Sequence, residues 1–262
     1  MLVASPMRLQ PLGRTFGAEY ALLPRWNLME QGYIRVLGFV DLPGRLRARL
    51  VIRELQKFRW NSLLDLGCGT GCYSYYFSRW QNVQVRGIDT NPSRVSDCKT
   101  VAQRLARHNL EFLAGAAEDL LRRFESNSVD AALAIEILQY LPNVKLGLLE
   151  VQRLLRPGGY LVGHVPVLGY LREYETSLFD DENLAQLLRD TGFEIVTIKP
   201  TFDGTIRRFC RIYDLCSRSR VLTALVFPFL LIASLPYPIA SCNGDYRLFV
   251  ARKPLIAKEA LM

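Results

Sequence analysis

Residues Leu63 to Ser74 read Leu-Leu-Asp-Leu-Gly-Cys-Gly-Thr-Gly-Cys-Tyr-Ser. A short apolar run carrying one acid, Asp65, leads into three glycines at alternate positions, Gly67, Gly69 and Gly71, and then directly into a helix pattern. Glycines in such a turn open backbone conformations closed to other residues and let a ligand approach the main chain. The helix start behind them offers unpaired N–H groups to an anionic ligand. About 20 residues on, a second strand pattern ends in Gly87-Ile88-Asp89, where an α/β nucleotide-binding sheet places the acid that takes ribose hydroxyls. The spacing then separates two cofactors. A dinucleotide fingerprint, G-x-G-x-x-G, requires its third glycine at position 72, which here is Cys72.

The chain of 262 residues is long enough for one sizeable α/β domain with extensions. Half of its residues are hydrophobic and 22% are charged, which is the balance of a folded chain rather than a disordered one. Strand and helix patterns alternate from Asn61 to Lys199, which predicts a parallel sheet with helices on both faces. There is no internal repeat and no low-complexity tract. The six cysteines form no C-x-x-C pair and there are only two histidines, so no metal site is predicted. Unpaired cysteines and the lack of an apolar leader pattern place the chain in the cytoplasm.

The form Asp65-x-Gly67-x-Gly69-x-Gly71 resembles the first motif of class I S-adenosylmethionine (SAM) dependent methyltransferases. Five further segments resemble that family in order. Glu111 to Leu120 is similar to the segment that edges the adenine, and Ser128 to Leu141 to the fourth strand and the loop after it. Leu154 to Val162, with Arg156-Pro157-Gly158-Gly159, is similar to a helix-to-strand turn in which the proline stops the helix and the glycines reverse the chain. Asp181 to Ile195 is similar to the last helix and sixth strand, and Tyr246 to Arg252 to the final strand. The resemblance implies a Rossmann-like, doubly wound seven-stranded sheet with an antiparallel last strand. N-terminal helices and an apolar helical insert before the last strand complete it. The expected division is 1–60 N-terminal helices, 61–200 cofactor-binding core, 201–244 basic then apolar insert, and 245–262 last strand and tail.

The resemblance also implies roles. Asp65 would support the glycine loop near the amino-acid end of SAM, and Gly67 and Gly69, with Cys68 and Gly71 beside them, would let the backbone pass close to it. Asp89 would take the ribose hydroxyls, with Thr90 next to it. The backbone of Ala117 would meet the adenine, and Glu118 would border that pocket. Many relatives carry Asp or Asn where this chain has Ala116, so a side-chain acceptor for the adenine amino group is missing. Ile135 and Glu136 would line the methyl-transfer end.

SAM needs a nucleophile held in line with its methyl group, and no fixed triad is legible here. A general base serves a hydroxyl or carbon acceptor. His164, at the end of the fifth strand, and Tyr140, after the fourth, are the candidates for base or acceptor contact, because open α/β sheets bind ligands beyond strand C-termini. His108, at a helix end, reads as a C-terminal cap. The Asn/Asp-Pro-Pro-aromatic run of base-amine methyltransferases is replaced by Ile135-Glu136-Ile137-Leu138, which argues against nucleic acid as substrate.

The net charge of +8 suits either a soluble basic protein or an anionic partner. Basic residues cluster at Arg45, Arg47, Arg49, Arg53, Lys57 and Arg59, and again from Arg207 to Arg220. Val221 to Gly244 carries no charge and approaches the length of a membrane span, but Pro228, Pro236 and Pro238 interrupt it. It reads as a lid, as a patch dipping into a bilayer, or as a span; residues 207–240 would make the membrane contact. Trp26, Tyr33 and Phe39 mark helices near the N-terminus. The expected function is methyl transfer from SAM to a small-molecule or lipid-linked acceptor, by O- or C-methylation, at the inner membrane face. Three alternatives stand beside it: a soluble metabolite or glycan as acceptor with the insert as lid, a non-catalytic SAM-binding scaffold, and an NAD-dependent oxidoreductase.

Overall fold

The computed structural model describes residues 16–167, 179–239 and 244–255, apart from the side chains of Glu118 and Leu120. Its strands are β1 Ser62–Leu66, β2 Gln84–Asp89, β3 Leu110–Ala114, β4 Val129–Ile135, β5 Leu155–Pro166, β6 Glu194–Thr201 and β7 Tyr246–Arg252. They form one seven-stranded sheet in the order β3-β2-β1-β4-β5-β7-β6. Pairing is parallel from β3 through β5. At β7 the direction reverses: Gly158 N–H donates to Lys253 O and Lys253 N–H donates to Gly159 O, which sets the start of β5 against the end of β7. The central strands are apolar runs because helices cover both faces of a parallel sheet; Leu63, Leu64 and Leu66 on β1 and Ala131 to Ile135 on β4 are all buried. Their core continues through Leu148, Val151 and Leu154 of helix α6 (Val144–Leu154) and Leu184 and Leu188 of helix α7 (Asp181–Asp190).

Strand order reverses around β1, whose neighbours are β2 on one side and β4 on the other. The crevice outside the C-terminal ends of β1 and β4 is the switch point at which open α/β sheets bind ligands. Local signals build its walls. Asn91 caps helix α4 (Pro92–Arg104) by accepting from the N–H groups of Ser93 and Arg94, with Pro92 at the first helical position. Asp180 and Asn183 form a capping box at the start of α7.

The chain divides into two units, Met1–Arg59 with Lys199–Tyr246, and Trp60–Ile198 with Arg247–Met262. The first, helical unit holds α1 (Leu28–Leu37), α2 (Leu42–Leu55), α8 (Gly204–Ser217) and α9 (Arg220–Ala233). Within it Tyr33 OH donates to Ala224 O and Tyr213 OH to Val40 O, each at 2.8 Å, while Leu46, Ile52, Ile206, Phe227 and Leu230 are buried. The second, sheet unit holds the strands of the switch point, together with α3 (Cys72–Phe77) and α5 (Ala117–Leu121).

Five readings of the sequence are corrected. Helix α6 ends at Leu154, and β5 begins at Leu155, ahead of Pro157. Arg156 to Gly159 therefore form no helix-ending turn; they are an irregularity inside β5, where the register with β4 jumps from Val129↔Leu155 to Ala131↔Tyr160. Pro228 does not interrupt α9, which runs through it and ends at Ala233. Arg45 is buried and donates to Phe16 O at 2.6 Å, so it is not part of a basic surface. His108 caps nothing: α4 ends at Arg104 and the helix-terminal N–H belongs to Leu105, leaving His108 exposed in the turn before β3. Among the described residues no helix is long and apolar enough to cross a membrane, which removes the span.

Candidate active site

Gly67, Gly69 and Gly71 have φ of 70°, 55° and 76°, the left-handed region that side chains resist. The three differ in what surrounds them. A Cβ on Gly67 would lie 2.6 Å from Ile137, and one on Gly71 would lie 2.8 Å from the Tyr75 ring, so these two glycines serve packing of the loop. A Cβ on Gly69 would meet nothing nearer than 4.0 Å, so the backbone there faces open space. Gly69 is the position at which a ligand can pass close to the main chain.

The loop is tied down by the acid at the end of β2. Gly69 N–H donates to Asp89 Oδ2 at 2.8 Å and Asn91 N–H donates to Asp89 Oδ1 at 2.9 Å. Asp89 is buried, yet each oxygen keeps a further lone pair for a hydroxyl. Cys68 is buried and donates its backbone N–H to Ile88 O, while Cys98 Sγ donates to Gly69 O at 3.5 Å. Thr90 is exposed beside the site, and Ala117 opens α5 with its side chain buried. The side chain of Glu118 lies outside the described residues.

Asp65 is buried beneath the loop and accepts from Ser74 Oγ at 2.6 Å. Burial pushes its carboxyl up to about 6; the Ser74 hydrogen bonds oppose that shift and the nearby Asp89 adds to it. The folded chain therefore keeps a proton that the unfolded chain releases near pH 3.8. Stability falls as pH rises from about 4 to about 6 and is level above, a loss on the order of 3 kcal/mol. Asp65→Asn should remove that segment of the pH–stability curve. Urea unfolding of both proteins from about pH 4 to about pH 7 checks it, and parallel curves would refute the assignment.

At the other wall of the crevice, Ile135 ends β4, buried, in register with His164 on β5. His164 Nδ1 lies 2.6 Å from Glu136 Oε1, and Glu136 N–H donates to His164 O at 2.8 Å. An ionised carboxylate only accepts, so Nδ1 carries the proton. The histidine side chain is 0% exposed and the glutamate 22%. Glu136 sits at φ 54°, a left-handed conformation uncommon for a non-glycine residue. The group that reaches solvent is thus Glu136, with His164 behind it, whereas the sequence pointed to His164 as the direct contact. Tyr140 ends the 3-10 turn Leu138–Tyr140, half-buried. Sequence reasoning passed over Ser74, Cys98 and Asn91; only Asn91-Pro92 carried a readable signal, that of a helix cap. A surface hollow of about 550 Å³ along Lys99 to Leu113 contains none of these groups.

A family described as a methyltransferase domain matches residues 64–163, from within β1 to within β5, a stretch that carries every group just named except His164, the residue next after it. Residues 64–163 form a methyltransferase domain of the class I SAM-dependent type. This methyltransferase is 26% identical over 204 residues to the O-methyltransferase cnsE of Penicillium expansum, covering 70% of this chain and 72% of that one. It is 33% identical over 139 residues to a fatty-acid O-methyltransferase of Mycolicibacterium smegmatis, covering 51% and 48%. Among solved structures, the [4+2]-cyclase SpnF shares the fold at a TM-score of 0.61 with 23% identity, over 81% of this chain and 82% of that one. The cofactor of the methyltransferase is SAM. The open backbone at Gly69 and the unused lone pairs of buried Asp89 fit its ribose and amino-acid end.

Proposed function

We propose that this methyltransferase methylates a hydroxyl of an apolar, lipid-like small molecule at the cytoplasmic face of a membrane. The observation that carries the reading is the Glu136–His164 pair, a partly exposed carboxylate oriented by a buried imidazole at the switch point. When bound, SAM supplies a methyl group already electrophilic on a sulfonium. The chain's own residues then have three tasks. Asp89 and the Gly69 backbone would hold the ribose side. Ile135 and Ile137, beside Gly67, would keep the far end apolar and exclude water. Glu136 would accept the hydroxyl proton of the acceptor, and His164 would hold the carboxylate in place.

Two relatives support the acceptor class, one named an O-methyltransferase and the other a fatty-acid O-methyltransferase. A fold shared with a cyclase supports no reaction by itself, so the proposal rests on the site. Labelled methyl from SAM, supplied to extract of the native host and partitioned between organic and aqueous phases, tests it. Label is expected in the organic phase. Label in the aqueous phase alone would replace the lipid-like acceptor by a soluble metabolite or glycan, and no label at all would leave a SAM-binding scaffold.

A further inference from the structure

The net charge of the chain is unevenly placed. The helical unit contains sixteen Lys and Arg against seven Asp and Glu, a net of +9, whereas the sheet unit contains seventeen against eighteen, a net of −1. Exposed apolar surface follows the same division. Of the fifteen large apolar side chains exposed among the described residues, twelve belong to the helical unit.

Helix α9 shows why folding alone does not explain this. Phe227, Leu230 and Ser234 at its end are buried and mark its inner face. Leu225, Phe229 and Ile232 follow a helical spacing on the opposite face and are 62%, 74% and 66% exposed. A helix apolar all round is normally buried all round; here one face stands in solvent. Helix α8 has the mixed character of a membrane-surface helix. Arg208, Arg211, Ile212 and Leu215 share one exposed face with Arg218 just past its end. Those three arginines make no ion pair among the described residues, and Asp214 is the one acid on the helix. Arg207 and Arg220, by contrast, are paired with Asp245 and Glu30. Helix α1, joined to α9 through Arg220–Glu30 and Tyr33–Ala224, adds exposed Leu28, Met29 and Val36.

We infer that α8 and α9, with α1 beside them, form a docking face for an anionic lipid bilayer. The proposal deepens the membrane-face reading above and rests on it only for its biological purpose. Apolar side chains would enter the headgroup boundary while the arginines bury their stems and keep their charge at the phosphates. Two other occupants fit less well. A second copy of the chain would set one +9 unit against another, a repulsive pairing. Nucleic acid would match the charge but leave the leucines and phenylalanine without an apolar partner.

Co-sedimentation of the full chain with phosphatidylcholine vesicles, with and without phosphatidylglycerol, tests the inference. Strong binding is expected only with phosphatidylglycerol, weakening as salt is raised. The triple variant Leu225→Ser, Phe229→Ser, Ile232→Ser should lower vesicle binding by about ten-fold or more, and Arg208→Gln, Arg211→Gln, Arg218→Gln should erase the preference for phosphatidylglycerol. Both variants should keep the wild-type circular dichroism spectrum and SAM affinity. Equal binding of the serine variant would overturn the inference. So would a lipid-free dimer that this variant dissolves, or retention on duplex DNA in place of vesicles. Methyl transfer to a detergent-dispersed acceptor is read separately, so failure of the docking face and failure of the proposed activity are distinguishable.

Discussion

Glu136→Gln is expected to lower kcat by about a hundred-fold or more while leaving SAM affinity unchanged, because loss of a positioned base removes on the order of 10² to 10⁴ of rate. Glutamine keeps the length of the side chain and its carbonyl can still accept from His164 Nδ1, so the 2.6 Å contact and the fold are retained. What is lost is the ability to take a proton. His164→Gln should act differently. It removes the buried donor that aims the carboxylate, and His164 does not itself reach solvent. Its kcat should fall less, by about ten-fold, since the glutamate survives but is less well held. Initial rates with saturating SAM across pH, beside calorimetric SAM binding, separate the two variants. If Glu136→Gln retains wild-type kcat, the carboxylate is not the proton acceptor.

Asp89→Ala should weaken SAM binding by about 3 kcal/mol, on the order of a hundred-fold in Kd, because one carboxylate serves two purposes. It is the acceptor for the ribose in the proposed site, and it already receives the N–H groups of Gly69 and Asn91. Alanine leaves both part-buried hydrogen bonds without their acceptor and loosens the loop at the one of its three glycines that faces open space. Asp89→Asn restores a single acceptor oxygen and should recover part of the loss. Isothermal titration at constant pH measures both, with circular dichroism to show that each variant is folded. Wild-type affinity for Asp89→Ala would mean that the ribose is held elsewhere.

The features legible in the sequence were those whose physics is local. Three glycines at alternate positions announce a left-handed loop because other residues resist that conformation, and all three glycines adopt it. The acid about 20 residues on is readable because strand, crossover and strand have a set length, and Asp89 does end β2. The run Tyr246 to Arg252 is legible as the final strand, and β7 has those bounds. Local signals also misled. Pro157-Gly158-Gly159 has the composition of a turn, yet pairing with β4 and with Lys253 holds it inside β5. Pro228 looks like a breaker, yet the packing of Phe227 and Leu230 holds α9 through it.

By itself, then, the sequence determined the sheet, the cofactor loop and the acid that closes it, since each follows from spacing and backbone preference within a short stretch. Only the tertiary structure decided that His164 lies buried behind Glu136, because that depends on residues 28 positions apart meeting in register. It alone placed Ser74 on Asp65 and buried Arg45, and it alone gathered the positive charge and exposed apolar side chains of residues far apart in the chain into one unit. Burial and long-range pairing are properties of the packed chain, and no local pattern carries them.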